Sequence, residues 1–253
     1  MKLAFVSDFH LGYNDDALEQ ARAGLRKAKE VADAIICPGD LFDTRVPKQE
    51  VLHDSIKLFS EFQGCNAVKV SVITNEGITQ TFNAPLAIYG NHDRRAKGLS
   101  NPLHLLDSAQ LALNFHTKKI LLEKDGERVV IQGLGGLPDS MAKEALKLVD
   151  FKPEKNAFNV FVFHQSVYEV APVDETFLSI NDLPAGFDLY VDGHIHWPNQ
   201  LNQGGRMLLL PGSTVVTQLK EKESEGKGFY LYDTLAKTFE FIKIKTRPFY
   251  FKQ

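Results

Sequence analysis

Cysteine is nearly missing from this chain: of 253 residues only Cys37 and Cys65 carry a thiol. No CxxC pair or spaced set exists, which excludes a disulfide framework and points to a reducing compartment. Long apolar runs are missing too. None approaches the ~18 uninterrupted residues of a membrane span. The first run is cut by Asp8 before reaching the length of a signal-peptide core. A cytoplasmic protein with no membrane attachment is expected. Nor is there an excess of one charge, since 29 Lys and Arg face 32 Asp and Glu for a net −3. A chain-wide basic footprint for nucleic acid is therefore excluded, and any contact with DNA must use local patches. Internal repeats, low-complexity tracts and Pro-Gly-Ser linkers are also lacking, so no domain boundary is marked and one domain over residues 1–253 is expected.

What the chain does have is a series of short apolar runs, each closed by polar or glycine-containing clusters. The runs are Leu3 to Val6, Ala34 to Cys37, Leu86 to Tyr89, Val160 to Phe163, Leu189 to Val191 and Met207 to Leu210. They read as buried strands feeding loops. Between the first of them, Ala17, Leu18, Ala21, Leu25 and Ala28, then Val51, Leu52, Ile56, Phe59 and Phe62, recur at helical steps of three and four. Strands alternating with helices predict an α/β fold. Three hairpins interrupt the alternation. One flanks Thr74 to Gly77, a second turns at Asp125-Gly126, and a third turns between Asp233 and Lys237.

Five of the eight histidines fall in the clusters that close the runs: Ser7-Asp8-Phe9-His10, Gly90-Asn91-His92-Asp93, Phe163-His164-Gln165 and Gly193-His194-Ile195-His196 hold them, and Gly39-Asp40-Leu41-Phe42-Asp43 completes the set. Ligand-type side chains thus gather at carboxyl ends of strands, where open α/β sheets place their sites. In extended backbone, residues i and i+2 point to one side, so Asp8 with His10, and His194 with His196, are each expected to present two ligands to one point. Each cluster alone has an ordinary reading as a turn or a hydrogen-bonded core histidine. Five in one chain, each after a strand, do not.

The candidate ligands are Asp8, His10, Asp40, Asn91, His164, His194 and His196. Imidazole, carboxylate and one amide oxygen suit Mn, Fe or Zn better than Mg or Ca. Seven ligands exceed one ion's need but suit two ions sharing a carboxylate, with Asp40 as the bridge. Paired metals serve phosphoryl transfer, so phosphoester hydrolysis is expected. His92, beside Asn91, is left as an uncoordinated imidazole able to protonate a leaving oxygen. Arg94 and Arg95 follow directly and could meet phosphates, and Tyr13 could border the groove.

In this order the clusters resemble the signature of the calcineurin-like metallophosphoesterase superfamily: Asp-x-His, Gly-Asp, Gly-Asn-His-Asp/Glu, His and Gly-His-x-His. The resemblance implies an α/β fold, a β-sandwich of two sheets flanked by helices. It also implies that Asp8, His10, Asp40 and His196 hold one ion and Asp40, Asn91, His164 and His194 the other, with His92 as the catalytic histidine. Ser7 to Tyr13, Gly39 to Asp43, the approach Asp182 to Asp188, Pro211-Gly212-Ser213-Thr214, Lys227-Gly228-Phe229-Tyr230 and Thr246 to Phe249 are similar to the double-strand-break repair nucleases of the meiotic-recombination-eleven or SbcD type, archaeal branch. That family implies a manganese-dependent DNA exonuclease and endonuclease, an SMC-like ABC ATPase of the SbcC type as partner, and a homodimer through residues 48–62 and 102–109.

Three departures bear on this. Asp43 stands where many members carry a substrate-steering histidine. The hairpin from Val68 to Phe82 looks inserted. The chain ends at Gln253, about where the family's DNA-binding cap and ATPase-binding tail would begin, so a nuclease domain without them is expected. The net negative charge and missing cap leave a small-molecule or nucleotide phosphodiesterase as the alternative. A non-catalytic scaffold is disfavoured by the complete ligand set.

Overall fold

The structure, a computed structural model, describes residues 1–218 and 220–248. In chain order its elements are β1 (Lys2–Phe5), α1 (Ala17–Val31), β2 (Ala34–Cys37), α2 (Gln49–Ser60), β3 (Lys69–Thr74), β4 (Gly77–Gln80), β5 (Leu86–Ala87), α3 (Pro102–Ser108), β6 (Leu113–Asn114), β7 (Lys119–Lys124), β8 (Glu127–Leu134), α4 (Asp139–Val149), β9 (Phe158–Phe163), β10 (Leu189–Asp192), β11 (Asn199–Gln203), β12 (Arg206–Leu210), β13 (Gly228–Asp233) and β14 (Thr238–Lys243).

The strands form two mixed sheets, ordered β14-β13-β1-β2-β5-β6 and β11-β12-β10-β9-β8-β7-β3-β4. The centre of each is parallel: β1, β2, β5 and β6 in the first, β8, β9, β10 and β12 in the second. Side-chain alternation explains why their strands read as unbroken apolar runs. Leu3 and Phe5 point into the core between the sheets with Ile36, Val160, Val162 and Val191. Ala4 and Val6 point outward and pack with Ala21, Leu25 and Ala28 of α1, Leu58 and Phe59 of α2, and Leu103 and Leu106 of α3. On the far face of the second sheet, Phe161, Phe163 and Tyr190 pack with Ala142 and Leu146 of α4. Helix, sheet, sheet, helix is the layering, as a β-sandwich flanked by helices predicts. Phe161 alone meets the rings of Phe151, Phe163, Phe187 and Tyr190, and losing such a ring typically costs about 3–5 kcal/mol.

All three expected hairpins form. The one from Val68 to Phe82 is built into the second sheet, because β3 pairs with β7 from Lys69↔Glu123 to Ile73↔Lys119. Its second strand, β4, exposed throughout, forms one edge of that sheet. The run from Leu86 to Tyr89 yields only a two-residue strand. Among the described residues no helix is long and apolar enough to cross a membrane.

Candidate metal centre

The loops after β1 and β2 are locked together by main-chain bonds. Asp8 N–H donates to Gly39 O (3.2 Å), His10 N–H to Asp40 O (3.1 Å) and Leu11 N–H to Leu41 O (3.0 Å). This crossing forces Asp8, His10 and Asp40 into the left-handed region, at φ 53°, 46° and 47°. Such conformations cost about 1–3 kcal/mol each and persist only where the surroundings impose them. The extended geometry expected for Asp8 and His10 is therefore corrected. Their side chains do converge, but through left-handed turns rather than strand pleating. The expectation that His194 and His196 share one point fails as well, because the loop after β10 sends them to different partners.

Asp8, His10, Asp40 and His196 are buried, with ligand atoms all within 4.8 Å of one another. His10 Nε2 and His196 Nε2 approach to 3.2 Å, and His196 Nε2 lies 3.6 Å from Asp8 Oδ1. On the other side of Asp40, its Oδ2 lies 3.2 Å from His164 Nε2. Asn91 Oδ1 then lies 3.2 Å from His164 Nε2 and 2.9 Å from His194 Nδ1. The structure thus brings all seven side chains together as two groups meeting at Asp40.

The donor set fits a cation. Asp8 Oδ1 and Oδ2 and Asp40 Oδ2 are buried with no hydrogen-bond partner among the described residues, a costly state for a carboxylate unless something positive stands beside it. The other nitrogen of each imidazole is occupied: His10 Nδ1 by Asp43 Oδ1 (3.1 Å), His164 Nδ1 by Pro38 O (2.8 Å), His194 Nε2 by Ser166 Oγ (3.2 Å) and His196 Nδ1 by Thr217 Oγ1. That leaves Nε2 of His10, His164 and His196, and Nδ1 of His194, facing the cluster, the arrangement outer partners impose on metal-binding histidines. Burial pushes Asp8 up to about 6, against the pull of the His164 charge. Burial also pushes His194 down to about 4 and His196 to about 2, keeping both neutral, the form that ligates. His164 goes the other way. Despite burial, the charge of Asp40 raises it to about 10.

His92 is 41 % exposed in its side chain. Its N–H donates to Asp40 Oδ1 (2.8 Å) and its Nδ1 lies 3.0 Å from Asp43 O, which turns Nε2 toward the cleft. Asp43 therefore steadies His10 through its carboxylate and His92 through its carbonyl, a role its position as a departure from the family pattern did not suggest. Asp93 belongs to the same motif as His92, and sequence reasoning assigns it no task. Buried, it accepts from the N–H of Gly90 (2.6 Å), Leu41 (3.0 Å) and Phe42 (3.4 Å), stitching two ligand loops together.

Two depressions flank the centre. One of about 260 Å³ joins Asp40, Asn91, His92 and His194 to an apolar wall that includes Phe177 and Trp197. The other, about 230 Å³, is lined by Arg45, Arg94, Asn91, His164, Ser166 and His194. Arg94 thus lines this depression, joined by Arg45, which the sequence reading does not single out. Arg95 turns away to donate to Ser100 O (3.1 Å). Tyr13 stands edge-on to His10, with its hydroxyl donating to Thr217 O (2.9 Å), and it lines a separate depression beside α2.

Residues 1–198 match the model of the calcineurin-like phosphoesterase family. The chain is similar to the DNA double-strand break repair protein Mre11 of Methanopyrus kandleri, 27% identical over 92% of this chain and 54% of the relative. It is 32% identical to the double-strand break repair protein MRE11 of Encephalitozoon cuniculi, over 98% of this chain and 48% of that one. It is 28% identical to Mre11 of Archaeoglobus fulgidus, over 99% and 60%. The chain spans about half the length of these curated relatives. Among solved structures, TT1561 of Thermus thermophilus shares the fold at a TM-score of 0.55 and 16% identity, over 96% of this chain and 99% of that one. A matched signature, two packed sheets and a buried Asp/His cluster that fits a cation meet in one molecule: the chain belongs to the calcineurin-like phosphoesterase family.

Proposed function

We propose that this chain is a manganese-dependent DNA nuclease that hydrolyses phosphodiester bonds in double-strand-break repair, with exonuclease and endonuclease action. The observation that carries the reading is the convergence of partnerless carboxylate oxygens and oriented imidazoles on two points either side of Asp40, next to an arginine-lined depression. Asp8, His10, Asp40 and His196 would hold one divalent ion, and Asp40, Asn91, His164 and His194 the second. When bound, a pair of such ions supplies Lewis-acid stabilisation of attacking and leaving oxygens.

The remaining work falls to the chain's own side chains. His92 Nε2 faces the cleft while its Nδ1 is committed to Asp43 O, so the ring is held in one orientation for handing a proton to the departing 3′ oxygen. Arg94 and Arg45, which line the depression beside the centre, would hold a neighbouring phosphate of the strand and orient the substrate without reading its sequence. The partners belong to the same proposal. They are DNA, an SMC-like ABC ATPase of the SbcC type, and a second copy docking through α2 and α3, where Ile56 and Leu105 stand exposed.

The test is cleavage of end-labelled duplex and single-stranded DNA with Mn²⁺ or Mg²⁺, beside a generic phosphodiester. Mn²⁺-dependent shortening is expected, with His92→Ala slowing it about 10²–10⁴-fold while metal content stays unchanged. Full-rate cleavage by that variant overturns the role of His92. Turnover of the generic diester without DNA cleavage moves the substrate to a small molecule or nucleotide.

A further inference from the structure

Beneath the centre, behind His196, lies a charge pair that the proposed reaction does not use. Glu223 and Lys227 are both 1% exposed. Lys227 Nζ donates to His196 O (2.7 Å) and Ser213 Oγ (2.8 Å) and forms an ion pair with Glu223 Oε2 (2.5 Å). The other oxygen, Glu223 Oε1, lies 3.4 Å from Thr217 Oγ1, and Thr217 Oγ1 meets His196 Nδ1. Together they close a ring of polar contacts gripping the His196 ring at one end and its carbonyl at the other. All three residues lie beyond the portion matched by the family model.

The ring has a direction. An ionised carboxylate only accepts, so the Thr217 proton points to Glu223, and a lone pair on Oγ1 is left for the imidazole. His196 Nδ1 must then carry the hydrogen, and Nε2 is bare. The neighbouring amide admits the same reading once its oxygen and nitrogen are exchanged. Gln218 sets Nε2 3.5 Å from His196 Nδ1 and leaves its Oε1 buried without a partner, and a half-turn of that amide offers an acceptor to an Nδ1–H. Thr217 is itself held, since Tyr13 donates to its carbonyl.

We infer that Thr217, Glu223 and Lys227 form a buried relay of positioning residues that fixes His196 as its Nδ1–H tautomer and presents Nε2 to the cation of the Asp8–His10–Asp40–His196 group. The inference rests on the metal reading above only in its last clause. A Lys–Glu pair without access to water is costly to bury, and this arrangement gives it a task that a packed apolar pair could not perform.

The test uses histidine-selective ¹⁵N NMR of the full, metal-free chain, followed by calorimetric titration with Mn²⁺. Wild type is expected to show His196 as Nδ1–H. Thr217→Val, nearly isosteric, removes the acceptor and is expected to move the ring toward Nε2–H. It should also weaken one of two Mn²⁺ sites about 10–100-fold, the usual effect of losing an outer partner, while leaving the other site alone. Thr217→Ser should restore both readings. Glu223→Gln should give the tautomer shift if it folds; Thr217→Val carries the test if it does not. A packing role alone would lower the melting temperature without moving the tautomer. An unchanged His196 spectrum and unchanged Mn²⁺ affinity in Thr217→Val overturn the relay. Wild-type protein that takes up no Mn²⁺ overturns the metal reading instead, and the tautomer spectrum still decides the relay.

Discussion

Gly39→Ala is the sharpest test of how the centre is built. Gly39 has φ +113°, and a Cβ there would meet His164 Nδ1 at 2.2 Å and His164 Cγ at 2.8 Å. The imidazole is not free to retreat, because His164 Nδ1 is bonded to Pro38 O at 2.8 Å and its Nε2 stands 3.2 Å from Asp40. An L-residue with positive φ costs roughly 1–2 kcal/mol. Overpacking a rigid site adds about 1–3 kcal/mol, and the lost His164 hydrogen bond about 1 kcal/mol. The total is about 3–6 kcal/mol, against a whole-protein stability on the order of 5–15 kcal/mol. At about 2–4 °C per kcal/mol for a chain of this size, melting should fall by about 6–24 °C. Gly126→Ala separates the two contributions, since Gly126 also has positive φ (+82°) but nothing within 4 Å of the new methyl. It should cost only the conformational part, about 1–2 kcal/mol. Differential scanning calorimetry of both variants decides the matter. Melting temperatures within about 2 °C of each other would refute the steric argument, roughly the smallest gap that 1 kcal/mol produces.

Acid should weaken the fold through His116. Burial, aided by the charges of His104 and Lys118, pushes this group down to about 4, and its Nδ1 accepts the N–H of Gly135 at 2.9 Å. The unfolded chain, at about 6.5, binds the proton more readily, so the stabilisation is full above that pH and is lost as pH falls toward 4. It amounts to about 1.4 kcal/mol lost by about pH 5.5 and about 3 kcal/mol by about pH 4, read as the difference in urea midpoints between wild type and His116→Asn. An identical pH slope for the two would refute it. Divalent metal should raise stability, because Asp8 and Asp40 hold buried oxygens without partners. Mn²⁺ at about 100 times its Kd adds about 2.7 kcal/mol per site, seen as a rise in melting temperature that chelator reverses, and no rise would count against the cation fit.

Much of this was legible in the sequence because buried parallel strands leave unmistakable apolar runs, and because turns such as Asp125-Gly126 name themselves. The helix α4 was missed. Its apolar residues Met141, Ala142, Ala145, Leu146, Leu148 and Val149 do recur at steps of three and four along one face, so the helical pattern is readable in the sequence, although only Ala142 and Leu146 of that face are buried. The strand β11, Asn-Gln-Leu-Asn-Gln, was missed because its place comes from main-chain pairing with β12 and not from its side chains. At the centre the residue types were readable but their directions were not. The left-handed turns at Asp8, His10 and Asp40 arise from bonds between two loops distant in sequence, and no local pattern encodes them. Lys220, Lys222 and Lys227, alternating with Glu221, Glu223 and Glu225, read as a mixed-charge surface in the sequence, and that reading fails for Glu223 and Lys227, which the fold buries behind His196.

The seven candidate ligands are divided between the sheets, with Asp8, His10, Asp40 and Asn91 after strands of the first and His164, His194 and His196 after strands of the second. The contacts that unite them join positions as far as 126 residues apart, as between Pro38 and His164, or 186 apart, as between His10 and His196. Pairings so distant are slow to form, and neither sheet alone offers a complete set. A half-folded chain gives a metal little to grip. Ions added during refolding should thus leave the folding rate almost unchanged and act instead on the return journey, slowing the escape from the native state. In kinetic terms the seam between the sheets is a latch that closes only after the molecule is built.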